Sequence, residues 1–225
     1  NNSTFTDSSS SNHTITASGS PTQGSFSPYR ASAISAGSDF AEYNPTTHGG
    51  SIFFDGGNSS DYLELNDGTT GSDFNLSNAT WTLETWLYKK QATGSRPESI
   101  IARWDNSNST AKGWSWQIYG DNSRLIWSSD GSSNTIYTDT RTVPSNAWVH
   151  LALVKNGSTL TSYISGVGSA IHSSDFTIYS TTTKTRIGCV FASGAVSETT
   201  RLRGNLSNLR VVKGTAVYTS DFTPS

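Results

Sequence analysis

Apolar and polar residues alternate along this chain with a period of two rather than 3.6, the spacing that sends successive side chains to opposite faces of a strand. In Trp114-Ser115-Trp116-Gln117-Ile118-Tyr119, Trp114, Trp116 and Ile118 share one face while Ser115 and Gln117 share the other. Gly120-Asp121-Asn122-Ser123 then turns the chain into residues 124–128, which predicts a β-hairpin. A second hairpin is predicted at Lys155-Asn156-Gly157-Ser158, where Asn-Gly suits a primed turn because both residues tolerate positive φ. Ahead of that turn Trp148, Ala152 and Val154 occupy one face of a strand and Val149, Leu151 and Leu153 the other. Residues 81–88 read similarly, with Leu83 and Leu87 opposite Trp86 and Tyr88. A strand apolar on both faces belongs in the middle of a sheet that is covered on both sides. The predicted fold is therefore all-β, an antiparallel β-sandwich of jelly-roll type. The chain has no solenoid-scale repeat and no sustained helical period.

The 225 residues fit one large all-β domain, with residues 1–47 as a Ser/Thr-rich leader and 48–225 as the sandwich body. By composition the leader reads as a flexible linker. Against that, Phe5, Ile15, Phe26, Tyr29 and Ile34 recur among its polar residues, as anchors of short edge strands would. Counts of 40 Ser, 30 Thr and 16 Asn predict a polar, largely uncharged surface suited to a virion or extracellular module. Seven Trp and few helix formers put burial on aromatic and β-branched side chains. A net charge of −2 supplies no basic stripe for a phosphate backbone, which argues against nucleic acid as a partner. No apolar run approaches the about 18 residues that span a bilayer, and no charged-then-apolar leader resembles a signal peptide, so no membrane insertion is expected. Cys189 stands alone and is expected to be a small core residue on a strand spanning 185–191. The chain begins at Asn1 rather than Met and is expected to be cut from a longer polypeptide.

Residues 203–224 (RGNLSNLRVVKGTAVYTSDFTP) resemble the closing segment of a laminin-G-like, concanavalin-A-like lectin/glucanase jelly roll of the kind found in virion proteins of marine bacteriophages, cyanophage-like proteins among them. Further blocks fall in the family's order. Residues 51–65 (SIFFDGGNSSDYLEL) resemble its opening strand and F-D-G loop, 81–88 (WTLETWLY) its next buried strand, and 147–168 (AWVHLALVKNGSTLTSYISGVG) its central hairpin. The leader pieces between Phe5 and Tyr29 resemble the stretch preceding the F-D-G loop. The resemblance implies the fold more firmly than the function, because this fold hosts lectins, glucanases and plain spacers alike.

Glycoside hydrolysis needs two carboxylates flanking the scissile bond, about 5 to 9.5 Å apart. Related glucanases carry theirs as Glu-x-Asp-x-Glu, and this chain has no such run. Its glutamates are Glu42, Glu64, Glu84, Glu98 and Glu198, and the nearest approach to a pair is Glu64 with Asp67. His13, His48, His150 and His172 are scattered, none in a nucleophile elbow or beside Cys189, and His150 reads as a structural side chain. The resemblance implies a rim calcium site, for which Asp55, Asn58 and Asp61 are the candidates; the competing reading makes Asp55 and Gly56 a plain Asx turn. Carbohydrate binding needs an aromatic face flanked by short polar groups. Trp104, Asp105, Asn106 and Asn108 offer that combination in a predicted loop, and Trp127 and Tyr137 offer it less clearly. The competing reading of Trp104 is that it seals the end of the sandwich, while Trp81, Trp86, Trp114, Trp116 and Trp148 read as core.

The function expected is that of a non-catalytic virion structural or adhesion module, a capsid decoration or tail-fibre domain on the virion surface. Its partners would be other virion proteins, copies of itself and host-surface polysaccharide. The alternatives are a lectin domain of a secreted or cell-surface protein and, less favoured, a glycoside hydrolase.

Overall fold

A computed structural model describes residues 4–24, 26–28, 50–57, 61–90, 96–106, 110–192, 194–197 and 199–224. They form two seven-stranded sheets and a small ladder, with every strand pair antiparallel. Sheet I runs β1 (Ile15–Ser18), β4 (Tyr62–Leu65), β13 (Arg186–Ile187), β6 (Pro97–Trp104), β7 (Lys112–Tyr119), β8 (Asn122–Trp127) and β9 (Thr135–Thr142). Sheet II runs β12 (Val167–His172), β11 (Thr159–Ile164), β10 (Trp148–Asn156), β5 (Trp81–Lys89), β16 (Gly204–Lys213), β3 (Ser51–Phe54) and β2 (Thr22–Gly24). The ladder pairs β14 (Phe191–Ala192) with β15 (Ala195–Val196). No α-helix occurs among the described residues, and among them no helix is long and apolar enough to cross a membrane. Strands β1 and β2 come from the leader and lie at sheet edges; the 47/48 boundary, Tyr29 and Ile34 lie outside the described residues.

The two-residue period sorts the side chains as the sequence requires. Leu83, Leu87, Val149, Leu151 and Leu153 of sheet II meet Ile101, Trp114, Trp116, Ile118 and Leu125 of sheet I in one core. Two of the buried indoles keep their N–H groups bonded: Trp114 Nε1 donates to the Phe74 carbonyl at 2.8 Å and Trp116 Nε1 to Ser123 Oγ at 3.0 Å. The outward residues Ala152, Val154 and Tyr163 are covered by Ala216, Tyr218 and Phe222 of the carboxy-terminal segment, which explains why β10 is apolar on both faces. Along one side of the sandwich Arg141 of β9 donates to the carbonyls of Ser162 and Val167, tying sheet I to sheet II, while Asp139 holds the guanidinium.

Three local expectations need correction. The hairpin after β10 forms, but Asn156 pairs with Thr159, so Gly157 and Ser158 make the turn. Only Gly157 of the Asn-Gly pair has positive φ, 58°, the Gly-first pattern of a type II′ turn. The strand expected over 185–191 is interrupted after Ile187: Gly188 takes φ 92°, and a Cβ there would strike the Phe54 ring. Cys189 is buried between β13 and β14, and burial pushes its thiol up to about 12. Lastly, Trp86 and Trp148 are half-buried on the outer face of sheet II rather than in the core, because they alternate with the core residues Leu87 and Val149.

The closing segment has a backbone reason for two of its residues. Gly204 opens β16 where a Cβ would run into the Tyr88 carbonyl oxygen. Asn208, φ 51°, occupies the register shift between Ser207 and Arg210, a left-handed position that asparagine tolerates better than branched residues.

Candidate functional site

The residues first expected to bind sugar do not come together. Trp104 ends β6 on the outer face of sheet I, 4 % exposed, packed with Ala102, Val190 and Ile126. Its Nε1 donates to Asn106 Oδ1 at 2.8 Å, and Asn106 N donates to the Phe191 carbonyl at 2.9 Å. It is thus no loop residue and presents no open ring face: Val190 packs on it, Lys112 Nζ lies 5.8 Å over its ring, and Phe191 of β14 is bridged to half-buried Asp105 beside it. Trp127, 7 % exposed, points the other way into the core, 4.9 Å from the Phe176 ring. Tyr137 lies beside it half-buried, stacked on His172 at 3.9 Å, with its hydroxyl 3.1 Å from His172 Nε2. Two sides of one sheet cannot share a ligand. Asn108 lies outside the described residues.

The three candidate calcium residues were tested against what a hard cation needs, six to eight oxygens. Asp55 is exposed in the loop after β3, where its Oδ1 accepts the Gly57 N–H at 2.7 Å, an Asx turn. Asp61 is buried, and its Oδ1 accepts the Ser20 N–H at 2.6 Å. Asn58 lies outside the described residues. Among the described residues no three His, Cys, Asp or Glu side chains group to hold a metal ion.

Nor do the described glutamates form an acid–base pair. Glu64 is on the outer face of sheet I, bound by Lys184 and Arg186, while Asp67 turns inward to Arg103. Glu84 faces out from sheet II into Arg210, Tyr218 and His150. Glu98 is buried with its Oε2 accepting the Arg203 N–H at 3.1 Å, and burial raises its carboxyl above the usual range. Each is spent on a structural partner. Hydrolysis would require one of them to stand across a cleft from another carboxylate.

Among the described residues, the outer face of sheet II carries a cluster of aromatic rings that is only partly covered. Tyr88 of β5 and Trp148 of β10 are cross-strand partners whose rings lie 5.7 Å apart. Asn205 of β16 is Tyr88's partner on the other side, and Phe53 of β3 is Asn205's, so Phe53, Asn205, Tyr88 and Trp148 form one row. Phe26 of the leader crosses this row, edge-on to Tyr88 at 4.8 Å and 5.2 Å from Trp148, and stays 45 % exposed. Polar groups border the aromatics: Asn205 donates to Ser51 Oγ, and Ser207 to the Gly50 carbonyl. Those polar groups are themselves buried, so what reaches the surface is the aromatic plane, the kind of face that takes the C–H side of a sugar ring. Alternation puts Trp86 with Tyr88 and Trp148 with Ala152 and Val154, but with both faces apolar it does not say which face is the outer one. What the sequence does not show is which part of the outer face the carboxy-terminal segment leaves uncovered.

The family model described as "Concanavalin A-like lectin/glucanases superfamily" matches residues 55–216. No curated protein matches the sequence significantly. Among solved structures, the chain is similar to the binding domain of botulinum neurotoxin serotype G, with TM-score 0.60, 12 % identity, 95 % of this chain and 46 % of that one covered. It is similar to the binding domain of botulinum neurotoxin DC in complex with SialylT, with TM-score 0.60, 11 % identity and coverage of 97 % and 46 %. It is also similar to domain 4 of AbnA, a GH43 extracellular arabinanase from Geobacillus stearothermophilus in complex with arabinotriose, with TM-score 0.56, 16 % identity and coverage of 90 % and 82 %. At such identities these likenesses concern fold alone, and the chain spans about half the length of the toxin domains.

Proposed function

Because the chain belongs to the concanavalin A-like lectin/glucanase superfamily, we propose that it acts as a non-catalytic glycan-binding module, displayed on a virion surface as a capsid decoration or tail-fibre domain. The observation that carries the reading is the aromatic row Tyr88–Trp148 with exposed Phe26 across it. The commitment of Glu64, Glu84 and Glu98 to structural partners supports binding without turnover. Two neighbours lend support: the arabinanase domain is described in complex with arabinotriose and the neurotoxin DC binding domain in complex with SialylT. The virion setting draws its support from the phage-like closing segment and from a surface rich in Ser, Thr and Asn. Each hydroxyl exchanged from water to protein gains only about 1 kcal/mol, so a single site is weak. Copies on one particle raise avidity by roughly 10² to 10⁴ without new contacts.

The test is a glycan array probed with a multivalent display of the domain, beside Trp148→Ala and an assay for released reducing ends. Binding by the wild type that falls at least about tenfold in Trp148→Ala, at unchanged melting temperature, is the expected result. Reducing sugar released with turnover overturns the non-catalytic reading, and absence of binding to every glycan leaves a purely structural module.

A further inference from the structure

Resting on that glycan-binding reading, we infer that the glycan is an acidic one, its carboxylate or sulfate held by Lys90 and Arg203 at the rim of the aromatic face. The strand pleat sets the geometry. Tyr88 points outward and Lys89 inward, where it is buried against Asp121 and the Gly120 carbonyl, so Lys90 points outward again. Lys90 is exposed, and its ammonium lies 4.6 Å over the Phe53 ring, at one end of the aromatic row. No carboxylate partners it among the described residues. Its N–H donates to the Arg203 carbonyl at 3.1 Å, which sets Arg203 opposite Lys90, one row beyond Asn205 and Tyr88. The stem of Arg203 packs on Gly56, whose φ of 63° and missing Cβ make room for it in the F-D-G loop.

More positive charge stands behind this rim. Arg96 donates to the Arg201 carbonyl at 2.7 Å, and Arg201 to the Gly57 carbonyl. Among the described residues the acids here are Asp55, exposed after Phe54, and buried Glu98, whose Oε1 is 4.0 Å from Arg96 Nε. Burial first, and then repulsion from Arg203, pushes the Arg96 guanidinium below its usual value. Lys90, Arg96, Arg201 and Arg203 thus crowd one end of a chain whose net charge is −2. A compact ammonium and a planar guanidinium beside an aromatic plane match a saccharide with an anionic substituent: the ring lies on the aromatics and the anion reaches the cations.

Matched glycans of one backbone, in neutral, carboxylated and sulfated forms, distinguish the possibilities when titrated at 50 and 200 mM salt. Wild type, Lys90→Gln, Arg203→Gln and Trp148→Ala are compared, with melting temperatures as a folding control. The expected result is an acidic form bound at least about tenfold more tightly than the neutral one, a preference that shrinks at high salt and in Lys90→Gln. Whichever acidic form wins identifies the substituent. Equal affinity for neutral and acidic forms, or a preference indifferent to both cationic substitutions, overturns the acidic assignment while Trp148-dependent binding keeps the broader reading. Should Arg203→Gln fail to fold, exposed Lys90→Gln decides alone. Absence of binding to all three forms overturns both.

Discussion

Tyr218, in the carboxy-terminal segment, donates its hydroxyl to Glu84 Oε2 in the middle of β5, a pairing across 134 residues of sequence. Arg210 binds the other carboxylate oxygen, and His150 Nε2 lies 3.4 Å from Oε2. Tyr218 in turn stacks flat on Phe222 at 3.6 Å, and both rings cover Tyr163 and His150. One buried acid thus fastens the closing segment onto sheet II, and the exposed aromatic face begins where that cover ends.

A pH dependence follows from this anchor. Burial alone would raise the Glu84 carboxyl, but hydrogen bonds from His150, Tyr218 and Arg210 and the Arg210 charge outweigh it and hold the group at about 2, against an ordinary 4.5. Its folded value is depressed, so its contribution is complete above about 4.5 and is lost as pH falls toward 2. A shift of that size corresponds to roughly 3 kcal/mol, an upper figure because half-exposed Arg210 is screened. Denaturant titrations of wild type and Glu84→Gln between pH 7 and pH 2 are expected to converge below pH 4.5. A gap that stays constant to pH 2 would remove Glu84 from this role. Tyr218 gives the opposite sign: burial and then Glu84 raise its hydroxyl to about 12, so the support it gives is lost only as pH rises past 10 toward that value.

The interior pair Arg103–Asp67 sets a second expectation. Arg103 is wholly buried, yet it donates to Asp67, to Asn75 Oδ1 at 3.0 Å and to the carbonyls of Thr69 and Thr181, both at 2.8 Å. Asp67 also accepts the Thr185 N–H at 2.8 Å and hydroxyl at 2.7 Å. Removing one partner of such a pair strands the other charge without water, at a cost of about 3–5 kcal/mol. Asp67→Ala is expected to lower the melting temperature by on the order of 10 °C. Glu64→Gln, on the partly exposed outer face three residues away, is expected to move it far less. Equal shifts for the two would contradict the buried network.

How far the sequence could be read differs from residue to residue. Alternation was enough to stack Leu83, Leu87, Val149, Leu151 and Leu153 against Trp114, Trp116 and Ile118, because one buried face fixes strand register. It could not place Trp104, since the segment that buries it, with Val190 and Phe191, lies more than 80 residues later in the chain. Trp148 reads as core in the sequence for the converse reason. A tryptophan at the start of a buried strand reads as interior until one knows that the covering segment, Ala216 to Phe222, sits over Ala152, Val154 and Tyr163. Arg103 carried no signal at all, because a lone arginine beside tryptophan gives no hint of the loop carbonyls that receive it.

The last prediction concerns Asp55 and calcium. Its Oδ1 accepts the Gly57 N–H, and Asp61 Oδ1 accepts the Ser20 N–H, so each carboxylate already supports a backbone donor. A native-state metal would raise the melting temperature by mass action, and chelation would lower it. With both carboxylates engaged by backbone donors, chelator is expected to leave the melting temperature of the wild type unchanged. Asp55→Ala is expected to lower stability by about 1 kcal/mol through the lost turn hydrogen bond, and by the same amount with and without chelator. The pair of measurements separates the two roles: a fall on chelation in the wild type, absent in Asp55→Ala, would assign the F-D-G loop to calcium, whereas parallel curves assign Asp55 to the turn that positions Gly56 beneath Arg203.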